Sequence, residues 1–283
     1  MNIGIVGLGL IGGSLGFDLR ALDHQVLGVS RHSETCQRAI ERGVVDDASI
    51  KLSLLTDADV VFICTPLAAI APTVQQLIPH LSPDAIITDV GSVKTAVVEQ
   101  VAPLWHNFVG GHPMAGTADS GIEAAVSGLF AGNPYVLTPI ETTPAPSVKI
   151  VEEIVRSLTK RVYFCRPEDH DRAVAWISHL PVMVSASLID ACMSETDRAV
   201  LELAQQLASS GFRDTSRVGG GNPELGVMMA RYNQESLLRS LVSYRDSLDQ
   251  IIELIKQKDW QTLEEKLTET QLQRPQFFSA ANS

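Results

Sequence analysis

The sequence predicts an α/β fold: a doubly wound, mostly parallel sheet over residues 1–166, followed by an all-helical domain over residues 167–283. Three observations indicate this division. Short runs rich in β-branched residues alternate with amphipathic stretches up to about residue 165, strand signals almost vanish after "CRPEDH", and long apolar patterns at helical spacing then take over. With 283 residues, the chain is long enough for two domains with separate cores.

The predicted strands follow one another at the spacing of βαβ units, which pair in parallel through right-handed crossovers. They are, in order, NIGIV, QVLGV, DVVFIC, AIITDV, NFVGG, PYVLT and RVYFC. In the second half, residues 223–257 contain no internal proline and a broad apolar stripe, which predicts one long helix. Such a helix needs more partner surface than a small domain offers, so we expect a homodimer interface. A monomeric helical cap is the alternative.

Composition and charge argue against several classes of protein. The chain is 45% hydrophobic and 19% charged, which is typical of a globular protein. Its net charge of -11 argues against a general affinity for nucleic acid or an anionic membrane. No apolar run approaches the roughly 20 residues that span a bilayer, and the N-terminus does not resemble a signal peptide. Four scattered cysteines without a Cys-x-x-Cys pair predict a reduced, cytoplasmic compartment and no metal site.

A glycine motif between the first strand and the following helix predicts a nucleotide site. Gly7 allows a tight turn, Gly9 lets the backbone approach a pyrophosphate, and Gly12 lets helix and strand pack closely. Backbone N–H groups and the helix dipole then hold the phosphates. The motif therefore predicts a Rossmann-type dinucleotide site in which Leu10 and Ile11 also face the cofactor.

The end of the second strand indicates which dinucleotide binds. Ser30, Arg31 and His32 occupy the place where an NAD enzyme carries Asp or Glu. Because a guanidinium group pairs with phosphate through charge-assisted hydrogen bonds, Arg31 favours NADP over NAD. A solvated loop residue without a ligand is the alternative for Arg31.

The ends of the later strands complete the predicted crevice, since ligands bind at the carboxyl ends of strands in an open α/β sheet. We expect further cofactor contacts from residues that follow these strands: Cys64, Thr65, Pro66, Leu67, Gly91 and Met114. Ser92, in "DVGSVK", can either cap a helix or contact a substrate. His112 lies at the same edge in "GGHPMAG", held between Gly111 and Pro113 in a rigid context that can aim its ring.

The chain resembles the prephenate and arogenate dehydrogenases of tyrosine biosynthesis over nearly its whole length. The segments that carry the resemblance are GLGLIGGSLG, DVGSVK, GGHPMAGT, SHLP at 178–181 and GFRDTSRVGGGNPEL at 211–225. The resemblance implies NADP-dependent oxidative decarboxylation, in which hydride leaves ring C4, CO₂ leaves the opposite carbon, and the ring becomes aromatic.

The same resemblance implies roles for individual side chains. His112 would accept the proton of the C4 hydroxyl, and Ser92 would hydrogen-bond that hydroxyl and orient the histidine. Arg217 would clamp the ring carboxylate, which supplies the local positive charge that an acidic chain needs for an anionic ligand. Thr117 and His179 match positions near the substrate.

Two departures from the family's pattern bear on the choice of substrate. Val182 stands where many members have a second histidine in SHLPH, and Gly226 replaces an aromatic residue in NPELW. Both fall near the substrate's side chain in the family's site, where prephenate has a keto group and arogenate an ammonium. Loss of a cationic partner, together with the preference for NADP, favours arogenate over prephenate.

The sequence disfavours two other functions. A β-hydroxyacid dehydrogenase is disfavoured, because those enzymes use a lysine early in the second domain and none occurs between Arg161 and Lys256. A dinucleotide-binding sensor without activity is disfavoured, because His112 and Arg217 are both present.

Overall fold

The computed structural model describes residues 1–117 and 119–278. Eight strands form one sheet: β1 Asn2–Val6, β2 Gln25–Val29, β3 Asp47–Ser49, β4 Val60–Ile63, β5 Ile86–Asp89, β6 Phe108–Pro113, β7 Tyr135–Thr138 and β8 Val162–Phe164. The helices of this α/β region are α1 Leu10–Arg20, α2 Ser33–Glu41, α3 Leu67–Leu77, α4 Thr95–Val101 and α5 Ala145–Leu158.

The strand order of the sheet is β3-β2-β1-β4-β5-β6-β7-β8. All neighbouring strands are parallel except β6 and β7, which pair antiparallel from Gly110↔Thr138 to Pro113↔Tyr135. Because β1 lies between β2 and β4, the order reverses beside β1, and this switch point opens the crevice in which such sheets bind ligands. The predicted doubly wound sheet is confirmed.

The core shows why the sequence forms this sheet. Val60 and Phe62 of β4 pack in one hydrophobic layer, and Val61 and Ile63 pack in the other, since successive side chains of a strand alternate. Helices α1 and α5 contribute to the first layer, and α3 and α4 to the second. A strand that is covered on both faces has a continuous apolar sequence, as β4 does with VVFI.

Every regular element after Phe164 in the described ranges is helical, which confirms the predicted change of class. The elements are α6 Pro167–Val174, a π-helical segment Ala175–His179, α7 Leu180–Met193, α8 Arg198–Leu207, α9 Ser210–Ser216, a 3₁₀ turn Arg217–Gly220, α10 Pro223–Tyr232, α11 Gln234–Gln257, α12 Trp260–Gln273 and a 3₁₀ turn Arg274–Phe277. The chain forms two compact units, Met1–Asn233 and Gln234–Ser283. The domain boundary at 166/167 stays a prediction.

The prediction of a single helix over residues 223–257 is wrong. Helix α10 ends at Tyr232 and α11 begins at Gln234, because Asn233 leaves the helical conformation with φ -125° and ψ 40°. The side chain of Asn233 is buried and donates hydrogen bonds to two groups of the site described below. A tertiary interaction thus interrupts a pattern that is otherwise helical.

One helical stretch, Pro167–Met193, is long and apolar enough to cross a membrane by length and composition alone. The expectation concerned uninterrupted apolar runs, and this stretch is interrupted by charged residues such as Asp171, Arg172 and Asp190. The stretch begins with the charged first turn of α6 and buries His170, Asp171 and His179. Core helices of globular proteins meet the same criterion.

The unit that starts at Gln234 is a helical hairpin of α11 and α12. The chain reverses at Lys258, whose φ is 58°, and the Asp259 carboxylate caps α12 by accepting the Thr262 N–H at 3.1 Å. Large apolar side chains of this unit are exposed on both helices: Leu238, Val242, Leu248, Ile252, Ile255, Trp260, Leu267 and Leu272. Exposed apolar surface of this extent is typical of an interaction face.

Candidate active site

The glycine turn after β1 has the geometry that a pyrophosphate requires. Gly7 has φ +102°, and a Cβ there would lie 2.6 Å from the Cys64 carbonyl oxygen. A Cβ on Gly12 would collide with the Gly7 carbonyl oxygen. At Gly9 no atom lies within 4 Å of the Cβ position, so this face of the turn is open. Close packing therefore requires glycine at positions 7 and 12. At position 9 the lack of a side chain leaves the backbone open to a ligand.

The start of α1 supplies hydrogen-bond donors at this open face. Gly9 is the N-cap, and no side chain of the described residues caps the helix. The first N–H groups of an α-helix lack partners within the helix and carry the positive end of its dipole. Thr65, at the end of neighbouring β4, has a buried hydroxyl oxygen with no partner in the described chain. These residues fit the phosphates of a dinucleotide.

The segment between β2 and α2 carries the predicted selectivity for NADP. Arg31 is exposed and forms no ion pair with any residue that the structure describes. The Ser30 hydroxyl oxygen accepts the His32 N–H at 3.4 Å, and no carboxylate ends β2. The guanidinium charge is thus available to a ligand, and contact with a 2′-phosphate stays a prediction.

The remaining predicted cofactor residues lie at strand ends. Burial, and secondarily Asp89, raises the pKa of the Cys64 thiol far above its usual range, so the thiol stays protonated at neutral pH. Gly91 is buried, and a Cβ there would lie 2.8 Å from Leu67 Cδ2. The Met114 N–H is donated to the Pro134 carbonyl at 2.8 Å. Their contacts with a cofactor stay predictions.

His112 lies within β6, at the edge where the parallel strands end. Its side chain is nearly buried, and its Nδ1 lies 2.8 Å from Nε2 of His170 in α6. The two rings meet edge-on, with centroids 5.0 Å apart. His170 Nδ1 in turn lies 2.8 Å from Asp171 Oδ1. A hydrogen-bonded line of three side chains therefore ends on the predicted catalytic imidazole.

The surroundings of His112 keep it neutral. Burial lowers the pKa of His112 well below its ordinary value, and the nearby His170, Lys94 and His179 lower it further. A protonated ring would be poorly solvated and would lie near the Lys94 ammonium group. His112 therefore has a nitrogen lone pair that can accept a proton at neutral pH.

A buried ion pair holds the strand that carries His112. Lys94 Nζ donates to the Asp89 carboxylate and, at 2.7 Å, to the Gly111 carbonyl. The same carboxylate accepts the N–H groups of Gly91 at 2.8 Å and of Gly111 at 3.1 Å. Burial lowers the pKa of Lys94, and the attraction of Asp89 offsets part of this effect. The pair ties the ends of β5 and β6 together.

Asp171 caps α4 from a distant part of the chain. Its carboxylate accepts the backbone N–H of Lys94 at 2.7 Å and that of Thr95 at 2.8 Å. The alternative interpretation of Ser92 as the helix cap is therefore wrong, because α4 begins at Thr95 and its amides are satisfied by Asp171. Burial raises the pKa of Asp171, but hydrogen bonds from His170 and from these amides outweigh burial and leave it below its usual value.

His179 ends the π-helical segment and is fully buried. Asn233 Nδ2 lies 3.2 Å from His179 Nδ1 and also donates to the Asp171 carbonyl at 2.7 Å. Burial lowers the pKa of His179 to about 4, against the opposing pull of Asp171. Because Asn233 donates to Nδ1, the neutral ring carries its proton on Nε2, which has no partner in the described chain. A buried N–H donor is thus available to a ligand.

Arg217 begins the 3₁₀ turn and is exposed. The turn is anchored on α7: the Ser185 hydroxyl accepts the Gly219 N–H at 3.0 Å and donates to the Thr215 carbonyl at 2.8 Å. A Cβ on Gly219 would collide with the backbone of Ala186, so glycine is needed for this close approach.

The other predicted substrate residues are not hydrogen-bonded to the catalytic imidazole. Ser92 is half-buried, and Thr117 is exposed with its hydroxyl accepting the Asp119 N–H at 3.2 Å. Among the described residues, no hydrogen bond joins Ser92, Thr117 or Arg217 to His112. Their contacts with substrate stay predictions.

The two departures from the family pattern lie side by side. A Cβ on Gly226 would lie 3.9 Å from Val182 Cγ1 and 3.9 Å from Met183 Cε. The loss of a histidine at one position and of an aromatic ring at the other therefore removes two large side chains from the same region of the helical domain.

Sequence reasoning missed five members of the network: Asp89, Lys94, His170, Asp171 and Asn233. One signal was present in the sequence, since "PEDHD" places adjacent His and Asp residues in the first turns of a helix. The asparagine inside an apolar helical stripe was a second signal. The network offers a neutral base and a buried donor, and no group of three His, Cys, Asp or Glu residues in the described ranges is arranged to hold a metal.

Comparison with known proteins gives a consistent result for both halves of the chain. Residues 15–164 match the nucleotide-binding domain of prephenate dehydrogenase, and residues 166–269 match the dimerization domain of prephenate dehydrogenase. The chain is 32% identical over 267 residues to prephenate dehydrogenase from Bacillus subtilis, covering 92% of this chain and 71% of that protein. It is 31% identical over 281 residues to cyclohexadienyl dehydrogenase from Zymomonas mobilis, covering 96% and 94%.

Solved structures show the same similarity. Arogenate dehydrogenase from Synechocystis is 56% identical, with a TM-score of 0.89 over 98% of this chain and 100% of that one. Prephenate dehydrogenase from Aquifex aeolicus, in complex with hydroxyphenyl propionate and NAD+, is 29% identical, with a TM-score of 0.91 over 98% of each chain.

Proposed function

The chain belongs to the prephenate dehydrogenase family, and from this premise we propose that it converts arogenate to tyrosine with NADP+ as hydride acceptor. Membership makes it an oxidoreductase that uses a nicotinamide dinucleotide. The observation that carries the proposal is the buried, neutral His112 at the edge of the nucleotide crevice. Similarity to an arogenate dehydrogenase at 56% identity supports the choice of substrate.

The proposed mechanism assigns one task to each polar group. His112 Nε2 takes the proton of the ring C4 hydroxyl, and Ser92 hydrogen-bonds that hydroxyl. Arg217 binds the ring carboxylate through a charge-assisted pair, which orients the substrate before CO₂ leaves. A dinucleotide held by the glycine turn after β1 would supply the acceptor for the C4 hydride. Because aromatisation drives the reaction, the protein mainly positions the carbinol and removes its proton.

The side-chain end of the substrate is proposed to lie near the helical domain. His179 Nε2–H, which has no partner among the described residues, donates to a substrate oxygen, and Thr117 contributes a further polar contact. Val182 and Gly226 lie side by side, and neither supplies a cationic group to pair with the keto acid of prephenate. An ammonium group is tolerated better there, which favours arogenate.

A direct assay tests this proposal. Purified protein is given NADP+ with arogenate, prephenate or a simple β-hydroxyacid, and formation of NADPH is followed by absorbance. We expect the highest kcat/KM with arogenate. A higher kcat/KM with prephenate would make the protein a prephenate dehydrogenase that forms 4-hydroxyphenylpyruvate. Cofactor binding without turnover of either cyclohexadienol would refute the enzymatic proposal and favour a sensor.

Replacing Arg31 with alanine tests the preference for NADP. Loss of a charge-assisted pair with a phosphate is expected to raise the KM for NADP+ about 10–100-fold and to leave the KM for NAD+ nearly unchanged. Arg156→Ala, which removes an exposed arginine of α5, is the control. Equal changes for both dinucleotides would show that Arg31 does not read the 2′-phosphate.

The acid side of the pH profile tests the state of His112. Only the neutral ring can accept a proton, so activity falls as His112 becomes protonated. Because burial lowers the pKa of His112, this loss is expected only below pH 6.5, the usual value for histidine. The profile of kcat/KM is the right measurement, since it reports groups of the free enzyme. An acid limb at or above pH 6.5 would contradict the prediction.

The helical domain is proposed to form a homodimer in the cytoplasm, and no nucleic acid or membrane partner is proposed. The exposed apolar side chains of α11 and α12 need a partner surface, and a second copy of the chain supplies one. The match to a dimerization domain over residues 166–269 supports this assignment.

A further inference from the structure

The line from Asp171 through His170 to His112 lies almost entirely out of contact with water. The exposed fractions are 3% for Asp171, 2% for His170 and 9% for His112. Both links measure 2.8 Å between heavy atoms. With solvent excluded, the position of each proton is set by its protein partners.

The chemistry of the three groups assigns these protons. An ionised carboxylate only accepts, so His170 Nδ1 carries the proton that it donates to Asp171. The neutral His170 ring then has an unprotonated Nε2, which accepts from His112 Nδ1–H. In the neutral His112 ring, Nε2 is consequently left with its lone pair. In water a neutral histidine favours the opposite tautomer, with its proton on Nε2.

The carboxylate at the far end of the line is held rigidly. Asp171 accepts two backbone amides of the Lys94–Thr95 segment at 2.7 and 2.8 Å. Its own carbonyl accepts from Asn233 at 2.7 Å. A carboxylate held by two backbone amides, in a residue whose carbonyl is also fixed, cannot rotate to follow His170, so His170 must adjust to it.

We infer that His170 and Asp171 are positioning residues that hold His112 in the Nδ1–H tautomer and aim its Nε2 lone pair into the site. The inference rests on the proposed function, in which that lone pair takes the substrate's proton. Neither residue contacts the reacting atoms in this scheme. A purely structural role, in which the pair only joins α6 to α4, would leave the tautomer of His112 independent of both side chains.

Substitutions can separate these two roles. Asp171 Oδ1 accepts from both His170 Nδ1 and the Lys94 N–H, so an Asp171→Asn amide that turns its N–H₂ towards His170 gives up the bond with Lys94. In that orientation it donates to His170 Nδ1, which moves the His170 proton to Nε2 and the His112 proton onto the catalytic nitrogen. His170→Gln retains an oxygen that can accept from His112 Nδ1–H, whereas His170→Leu of similar size retains no acceptor. The last two variants form a matched pair, and they test the inference even if Asp171→Asn fails to fold.

The first measurement does not require activity. Two-bond ¹H–¹⁵N spectra of the ¹⁵N-histidine-labelled protein distinguish protonated from unprotonated ring nitrogens, and His112 is assigned by comparison with His112→Asn. We expect Nδ1 protonated in the wild type and in His170→Gln, reversed in Asp171→Asn, and a mixture in His170→Leu. A wild-type His112 with Nε2 protonated, or the same spectrum in all variants, would overturn the inference.

The second measurement is the kinetic effect. In serine proteases, the Asp-to-Asn change that produces the wrong histidine tautomer lowers kcat about 10⁴-fold. We expect Asp171→Asn to lower kcat about 10²–10⁴-fold, with an unchanged dissociation constant for NADP+, and His170→Gln to retain more activity than His170→Leu. Equal kcat values in the matched pair would overturn the inference. If the wild type turns over no cyclohexadienol, the proposed function fails, and the spectra alone then decide the inference.

Discussion

Replacing His112 with asparagine lowers kcat about 10²–10⁴-fold, the usual contribution of a general base, and leaves NADP+ binding nearly unchanged. Asparagine can hydrogen-bond the substrate hydroxyl but cannot take up its proton. The side chain is smaller and uncharged like the neutral imidazole, so β6 keeps its pairing with β7. Steady-state turnover at saturating substrate measures the first effect, and a fluorescence titration with NADP+ measures the second.

His106 offers a matched control for this substitution. It is an exposed histidine in the loop that precedes β6, and its ring has no hydrogen bond within the described residues. His106→Asn is therefore expected to keep wild-type turnover. Wild-type turnover in His112→Asn as well would remove His112 from the mechanism.

Replacing Lys94 with methionine destabilises the fold by about 3–5 kcal/mol, because it leaves the Asp89 carboxylate buried without its counter-charge. Both side chains of the pair are fully buried. The two amides that also donate to Asp89 solvate it in part, but they do not neutralise it. Urea unfolding followed by circular dichroism gives the free energy of unfolding for wild type and variant.

Two comparisons make this result specific. Arg198→Met breaks the exposed pair with Glu202 and is expected to change stability by at most about 1 kcal/mol. The double variant Asp89→Asn with Lys94→Met removes both charges and is expected to recover part of the loss. A change below about 1 kcal/mol in Lys94→Met alone would show that the pair contributes little.

The fold could be predicted from the sequence wherever the signal lies within a few neighbouring residues. Each long strand is marked in the sequence by an apolar, β-branched run. The glycine turn is marked by Gly7 and Gly12, which the backbone requires at those positions. Strand β3, by contrast, is only the three residues Asp47–Ser49 and has no such pattern. It forms because β2 offers an edge for pairing, which is a property of the assembled sheet.

The candidate site was predictable only where one residue type in one local context carried the information. His112 stood out between glycine and proline at a strand end, whereas its partner His170 lies 58 residues away. Asp171 caps amides that precede it by 77 and 76 residues. No periodicity relates such positions, because folding alone brings them together. The break at Asn233 escaped prediction for the same reason.

The break at Asn233 also predicts how this protein will respond to selection for thermal stability. Alanine or leucine at this position would raise helix propensity and allow α10 to run directly into α11. The same change would remove the donor to His179 Nδ1 and to the Asp171 carbonyl. Two buried acceptors left unpaired cost about 1–3 kcal/mol, more than the gain in helix propensity of below about 0.7 kcal/mol, so a screen for heat resistance is expected to keep asparagine where a helix-optimising design would remove it.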